Sequence, residues 1–290
     1  INQPKKIKFI GSKAYIIAEN DIVVANVNTF ESKGTVTGFV NPVDLDFVSE
    51  NRLFVVDKDD SKVKVVDLTS MEITSDIETG DSTSPVFIIS NSKTSFVMNG
   101  GGHSNEIKDS TVVAIAHRYG VVGIADFEGS ISVGDNPNSA VILPYGGRLK
   151  VLSQGIYDSI NTSGNTESSL STINQYSNKL YSTDNLAGIY NAKSLINNDD
   201  HSNYYFTAEE GVYTLDIDAF STNQIVSANA SIINTIVEPK VINDSTIVYY
   251  EMLYMNDQDS PNSIYKYNLT LTTFEDTIVV DGNVRDINFY

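Results

Sequence analysis

The stretch LFVVDKDDSKVKVVDL at residues 53–68 contains a β-rich run, a short polar turn and a second β-rich run that ends near Asp. The same arrangement occurs in AYIIAENDIVVANV at 14–27 and, with a longer polar segment, in SFVMNGGGHSNEIKDSTVVAIAH at 95–117. Self-similarity at roughly 40 to 50 residues, with four short strands in each repeat, is typical of a β-propeller. The sequence therefore predicts an all-β fold made of four-stranded blades.

The repeats run along the whole chain of 290 residues and form six complete blades. No linker rich in Pro, Gly or Ser separates them, which predicts a single β-propeller domain over residues 1–290. The last segment, 284–290, has the pattern of one more innermost strand. Because open sheet edges promote aggregation, a propeller closes its ring by letting one terminus complete a blade that the other began. We therefore expect seven blades, with three strands of the seventh upstream of Ile1; the alternative is a closed six-bladed ring in which 284–290 pairs with the first blade.

Individual strands are predicted from runs rich in Val, Ile and Tyr. The second repeat, for example, gives PVDLDFV, RLFVVD, KVKVVDL and EITSDIET as its four strands. Repeats four and five are less regular, with a weak strand near 179–183 and a poorly patterned start at 186–196. In the sixth repeat the first strand is predicted at 240–242.

The composition limits the classes of partner. The formal net charge is −18, from 19 basic and 37 acidic residues. Such a chain repels phosphate backbones and lacks the counterion release that drives nucleic-acid binding, so we expect no nucleic-acid partner. The acidity itself is expected to serve solubility. There is no long apolar run, which predicts no transmembrane segment, and the absence of cysteine excludes disulfides and thiolate chemistry.

The connections between the second and third strands of a blade differ in length. They are short in repeats one, two and five, and long in repeats three, four and six, at 99–110, 154–168 and 256–263. In a propeller these connections emerge on one face, and long loops on a rigid scaffold often carry binding. We therefore expect the binding site on the face that bears these three loops.

The side chains of the long loops are those of a surface for a polar ligand. Tyrosine supplies amphipathic stacking area and asparagine supplies paired hydrogen bonds, both at modest entropic cost. Tyr157 and Tyr254 are predicted as the aromatic anchors, and the alternative is that these residues belong to solvated, variable loops. The predicted ligand-binding residues are His103, Asn105, Tyr157, Asn161, Asn165, Tyr254, Asn256, Asp257 and Asp259.

Metal binding has weak support in the sequence. The three histidines, His103, His117 and His201, lack the HxH or HExxH spacing of a zinc site. The acidic turns 57–60 and 256–259 could hold calcium, but neither has the EF-hand pattern, so solvated turns are expected. Asp67 and Asp216, near the ends of third strands, are expected to cap turns, and His117 is expected to be structural. No required cofactor is predicted.

Catalytic motifs are also lacking. The sequence contains no GxSxG, P-loop or GxGxxG motif, and the glycines at 100–102 are not followed by the Lys-Ser/Thr of a phosphate-binding loop. A hydrolase or lyase would need acids, bases or a metal that converge on one face. The sequence therefore predicts a protein that is not an enzyme.

Three segments resemble the YncE-like, or YVTN-type, seven-bladed propellers: 53–68, 133–155 (VGDNPNSAVILPYGGRLKVLSQG) and 263–290 (SIYKYNLTLTTFEDTIVVDGNVRDINFY). The order of the repeats is similar to the extracytoplasmic branch common in Bacteroidetes. The lipoprotein signal and lipidated cysteine of that branch do not occur in this sequence, which begins at Ile1 rather than Met and so fits a trimmed start.

The resemblance implies a function. Members of that branch include surface lipoproteins that sit beside TonB-dependent outer-membrane transporters and capture scarce cofactors such as cobalamin. We therefore expect a non-enzymatic, extracytoplasmic capture protein, at the cell surface or anchored to the outer membrane, that binds a small molecule such as a cobalamin-like cofactor for delivery to a transporter. The alternative is a protein-interaction scaffold or cell-surface component that uses the same face.

Overall fold

The computed structural model describes residues 3–80, 83–101, 109–117, 125–198, 200–243 and 246–290, without the side chains of 125–128 and 242–243. The chain divides into two compact units: Ile1–Tyr190 with Tyr290, and Asn191–Phe289. We call these unit 1 and unit 2 and describe each by itself; the single domain over 1–290 stays a prediction. Within the described ranges, no helix has the length and apolar character needed to cross a membrane.

The fold class is the predicted one. The strands form six four-stranded antiparallel sheets in which sequence neighbours are also spatial neighbours. Apart from the 3₁₀ turn Thr162–Gly164, the described part of the chain contains no helix. These sheets are the blades of a β-propeller fold, and a seventh blade is incomplete.

Unit 1 contains blades one to four. Blade one has the strands β1 Pro4–Ile10, β2 Lys13–Ala18, β3 Asp21–Asn26 and β4 Ser32–Val36. Blade two has β5 Pro42–Ser49, β6 Arg52–Asp57, β7 Lys62–Asp67 and β8 Glu72–Glu78. Blade three has β9 Pro85–Ser90, β10 Thr94–Asn99, β11 Thr111–His117 and β12 Ala125–Ser132. Blade four has β13 Pro137–Ile142, β14 Arg148–Ser153, β15 Ser169–Asn174 and β16 Lys179–Asn185.

Unit 2 contains blades five and six. Blade five has β17 Lys193–Asn197, β18 Tyr204–Ala208, β19 Gly211–Asp216 and β20 Ser221–Val226. Blade six has β21 Ile233–Asn243, β22 Thr246–Asn256, β23 Ser263–Asn268 and β24 Thr273–Val279. The poorly patterned start of blade five thus contains a regular strand, β17.

The hydrophobic core of unit 1 lies between adjacent blades. Successive side chains of a strand point to opposite faces of its sheet. Accordingly, Leu53 and Val55 of β6 pack with blade one, whereas Phe54 and Val56 pack with blade three. Every residue of β6 is buried, because both faces of blade two are covered. The inner strands therefore appear in the sequence as continuous hydrophobic runs. In the outermost strand β8, exposed residues alternate with residues that are partly or fully buried.

The predicted turn caps are confirmed. The carboxylate of Asp67 accepts hydrogen bonds from the backbone N–H groups of Thr69 (2.7 Å) and Ser70 (3.4 Å). Asp216 binds the two equivalent N–H groups after β19, at 2.9 and 2.7 Å. Asn residues do the same after the third strands of blades one, four and six. The last residue of the third strand therefore fixes the turn that follows it.

His117 occupies this position in blade three. Its ring is buried, its Nε2 lies 2.8 Å from the hydroxyl of Ser95, and its edge meets the ring of Phe54 at a centroid distance of 5.8 Å. Burial lowers the pKa of His117 to about 4. These contacts agree with the structural role expected for this histidine.

The first strand of blade six begins earlier than predicted. It starts at Ile233 and pairs with β22 along nearly its whole length. Ile233 and Thr235 are buried, but the polar Asn234 and Glu238 and the following Pro239 conceal the strand pattern in the sequence. The prediction at 240–242 found only the far end of this strand.

The C-terminal segment lies against blade six without joining a sheet. No strand pairing is assigned to 283–290 among the described residues, which is consistent with an incomplete seventh blade of which this segment is the predicted innermost part. Instead, the N–H of Val284 donates to the carbonyl of Pro261 (2.7 Å) and the side chain of Asn234 donates to the carbonyl of Ile287 (2.9 Å). The buried side chain of Ile287 adds apolar contact.

Candidate functional site

In the long loop of blade four, polar side chains form hydrogen bonds with the backbone of the same loop. The amide of Asn165 accepts a hydrogen bond from the N–H of Asp158 (2.9 Å) and donates one to its carbonyl (3.1 Å). The carboxylate of Asp158 accepts from the N–H groups of Ile160 (2.7 Å) and Asn161 (3.0 Å), which hold its pKa below the usual range. Asn161 and Asn165 therefore shape the loop, and their role as ligand contacts stays a prediction.

Tyr157 is the exposed aromatic residue of this loop. Its side chain is 42% exposed, and its ring lies 5.2 Å from that of Tyr190. This ring pair could stack against a ligand, so the structure leaves Tyr157 available for the predicted role. The predicted contacts His103 and Asn105, from the loop of blade three, lie outside the described residues.

Asn256, at the end of β22, binds the backbone of the connection that precedes β21. It is only 5% exposed, and its Oδ1 accepts hydrogen bonds from the N–H groups of Ser231 (2.9 Å) and Ile232 (2.8 Å). Asp57 at the end of β6 holds the N–H groups of residues 40 and 41 in the same way, at 2.9 and 2.6 Å. Asp or Asn thus recurs at the end of the second strand of a blade. This recurrence is visible in the sequence and could have indicated that the side chain binds backbone N–H groups of the same protein.

Tyr254 also belongs to β22 rather than to the loop. Its hydroxyl donates to the carboxylate of Glu238, which is ion-paired with Lys266. Its ring meets Phe289 edge-on at 5.1 Å. Burial and the adjacent Glu238 raise the pKa of Tyr254. Its hydroxyl and ring are thus already engaged, and its predicted role as an anchor is untested.

Asp257 and Asp259 line a recess in unit 2 with a volume of about 540 Å³. This recess lies between the connection that follows β20 and the outer strands of blade six. Its size falls within the range of small-molecule sites. We call it the blade-six recess, and its lining residues are Ser227, Ala228, Asn229, Asp257, Asp259, Tyr265, Phe274, Glu275, Asp276 and Thr277.

Hydrogen bonds fix one wall of the blade-six recess. The side chain of Asn229 donates to Asp259 (3.0 Å) and accepts from Gln258 (2.9 Å), while the N–H of Gln258 donates to the carbonyl of Asn229 (2.8 Å). The N–H of Asp259 in turn donates to Asp257 (3.0 Å). The loop of blade six is therefore tied to the preceding connection, and its carboxylates are held in place before any ligand arrives.

Aromatic rings form a second wall. The ring of Phe274 lies 6.0 Å from that of Tyr265 and 5.1 Å from that of Tyr267, both nearly edge-on, and Phe274 is 57% exposed. The hydroxyl of Tyr265 donates to Asp257 (3.2 Å), and this bond raises the pKa of Tyr265. The sequence did not single out Tyr265 or Phe274, because they lie in strands and meet only through the register of β23 and β24.

A smaller recess adjoins the first and shares Asn229 with it. Its volume is about 240 Å³. It contains one basic and one acidic side chain, Lys193 and Glu209, and lacks aromatic rings. The two recesses therefore differ in charge and in stacking surface, although they lie side by side.

No group of three or more His, Asp or Glu side chains in the described part of the chain is arranged to hold a metal ion. In the acidic turn 57–60, both carboxylate oxygens of Asp57 accept backbone N–H groups. Asp60 is ion-paired with Lys64. These carboxylates are engaged by the protein, and the expectation of a solvated turn without calcium stays a prediction.

Comparison with known proteins identifies the fold class. No family model and no curated protein matches the chain. Among solved structures, hydrazine synthase of Kuenenia stuttgartiensis matches with a TM-score of 0.59 and 17% identity over 92% of this chain. The chain spans 66% of the matched chain, slightly less than two thirds. At this identity the likeness shows the β-propeller fold alone, and the YncE-like relationship stays a proposal.

Proposed function

We propose that this chain is a non-enzymatic, extracytoplasmic binding protein that captures a small molecule. The observation that carries the proposal is the blade-six recess, which combines hydrogen-bonded carboxylates with an exposed aromatic ring. Ligand sites are typically concave, with apolar surface and a few fixed polar groups.

The ligand and its destination are proposed from the sequence resemblance. A cobalamin-like cofactor is the first ligand to test, and a TonB-dependent outer-membrane transporter is the proposed recipient. Tyr157 remains the anchor proposed for blade four. In blade six we propose Tyr265 and Phe274 as the aromatic contacts, because both line the blade-six recess and Tyr254 is not among its lining residues.

Calorimetric titration with cyanocobalamin tests this proposal. Aromatic contacts in the centre of a site dominate binding energy, so Phe274→Ala should weaken binding in the blade-six recess by about 1 to 3 kcal/mol, and Tyr157→Ala tests the blade-four loop as a separate site. Tyr145→Ala is the matched control, because Tyr145 is 85% exposed and lies in the turn between β13 and β14. Equal losses for Tyr145→Ala and Phe274→Ala would contradict the assignment of the site.

A protein-interaction scaffold is the second candidate function. Tyr145, Tyr176 and Tyr181 of blade four are all strongly exposed, and tyrosine is enriched at protein interfaces. If no small molecule binds and a protein partner is retained in a way that depends on these tyrosines, the scaffold function replaces ligand capture.

A further inference from the structure

The first two strands of blade six are longer than those of the other blades. β21 and β22 have eleven residues each, whereas the corresponding strands of the other five blades have five to eight. The third strand, β23, pairs with β22 only from Met252 onward. Residues 246–251 of β22 and the facing residues 237–241 of β21 therefore extend past the end of β23. We call these two segments the blade-six hairpin.

One edge of the blade-six hairpin is open. Residues 246–250 pair with β21 on one side, and within the described ranges no strand pairs with them on the other side. The open edge ends at Glu251, whose carbonyl accepts a hydrogen bond from the N–H of Leu269 (3.0 Å). An edge strand presents backbone N–H and C=O groups that another strand can bind. Residues 246–250 are therefore a template for the addition of a strand.

The open edge lacks the features that protect an edge from pairing. Edge strands are commonly protected by charged side chains, proline or a β-bulge. The outermost strand β8, for example, carries Glu72, Asp76 and Glu78. The segment TIVYY at 246–250 contains no charge and no proline, and its pairing with β21 is regular from 247 to 250. In a chain with a net charge of −18, a second copy can approach this neutral edge without meeting a carboxylate on it.

One face of the blade-six hairpin is apolar and exposed. Val241 pairs with Ile247, and Pro239 pairs with Tyr249. Residues that pair across two strands share a face of the sheet. Val241, Ile247 and Tyr249 are 69%, 56% and 66% exposed. The open edge is thus bordered by apolar side chains that no described part of the chain covers.

From these observations we infer that two copies of this chain form a dimer through the open edge, with residues 246–250 of each copy paired antiparallel about a two-fold axis at Val248. In this register Ile247 of each copy lies opposite Tyr249 of the other, so the apolar face continues across the junction. A two-fold interface must be self-complementary, and this segment meets that condition. A register centred on Tyr249 would instead place Ile247 opposite Glu251, whose carbonyl is already bonded.

The antiparallel direction also leaves room for both proteins. Residue 250 of each copy lies beside residue 246 of the other, so the β23 strands of the two copies lie at opposite ends of the junction. The dimer interface is separate from the blade-six recess, because no lining residue of that recess belongs to the hairpin. Dimer formation therefore goes beyond the proposed binding function and does not depend on it.

Sedimentation velocity over a series of protein concentrations tests the inference, and the wild type should show a reversible dimer. The double variant Ile247→Lys/Tyr249→Lys places like charges opposite each other at both contacts and should weaken dimer formation about tenfold or more. Ile247→Glu/Tyr249→Glu should do the same. An equimolar mixture of the two double variants should form dimers again, because each lysine then lies opposite a glutamate.

The matched control is Val237→Lys/Val241→Lys. It adds the same charge to the same exposed apolar face, but on β21 instead of the open edge. It should change the dissociation constant of the dimer less than about twofold, because its charges lie away from the junction and are screened by salt.

The inference is overturned if the wild type sediments as a single chain at every concentration, or if the mixed double variants fail to associate. It is also overturned if the control weakens the dimer as much as Ile247→Lys/Tyr249→Lys does, since the apolar face rather than the open edge would then form the contact. If a double variant loses its fold, the single variants Ile247→Lys and Tyr249→Glu replace the pair. Their mixture should associate more tightly than either protein alone, and equal association would contradict the register.

Discussion

The long loops of blades four and six look alike in the sequence and behave differently in the structure. The loop at 154–168 is closed on itself, because Asp158 and Asn165 bind its backbone. The loop after β22 is tied instead to the connection that follows blade five, through Asn229. It therefore presents carboxylates to a recess, whereas the blade-four loop presents Tyr157 to solvent. Loop length indicates where polar residues accumulate, and the hydrogen bonds decide which of them remain available.

The largest expected effect lies at the base of the blade-six loop. Asn256→Ala leaves the N–H groups of Ser231 and Ile232 without their acceptor, and a buried unsatisfied donor costs about 1 to 3 kcal/mol. We expect the free energy of unfolding in urea to fall by about 2 to 3 kcal/mol. Asn256→Asp retains the acceptor and should lose less. An Asn256→Ala protein as stable as the wild type would show that these hydrogen bonds do not hold the loop.

A pair of glycines measures how tightly the blade-four loop is closed. Gly155 (φ +75°) and Gly188 (φ +74°) share the same positive φ. An added Cβ at Gly155 would lie 2.3 Å from the carbonyl oxygen of Thr166, whereas at Gly188 it meets nothing within 4 Å. Both Ala variants lose about 1 kcal/mol from the positive φ. Gly155→Ala should lose about 1 kcal/mol more because of the close approach. Equal melting temperatures for the two variants would mean that the loop opens at little cost.

The sequence predicted the blades well but did not locate the blade-six recess, for physical reasons. A continuous β-rich hydrophobic run bounded by polar turns is a local property, so β6 could be assigned from the run at 53–56 itself. The recess depends on pairs that are distant in the chain, such as the bond from Asn229 to Asp259 and the ring contact between Tyr265 and Phe274. Asp257 and Asp259 could be predicted because they lie in a polar loop. The side chain of Asn256, one residue earlier, instead accepts hydrogen bonds from the backbone of Ser231 and Ile232.

The smallest expected effect is a pH dependence confined to the blade-four loop. Hydrogen bonds from Asn161 and Ile160 hold the pKa of Asp158 below its usual range. The stabilisation is therefore present above the pKa of the unfolded chain and is lost as the pH falls through the lower pKa of the folded loop. Amide hydrogen exchange at residues 160 and 161, corrected for the intrinsic rate, should show falling protection below about pH 4. Asp158→Asn should remove this dependence; an unchanged pH profile in that variant would assign it to another group.

The most direct test of the account is the map of backbone amide chemical shifts during a titration with cyanocobalamin. The central claim is that the blade-six recess is a ligand site. We predict saturable shifts at 257–262 and 274–277. Shifts at 155–166 without shifts at 257–262, or shifts spread over acidic turns throughout the protein, would contradict it.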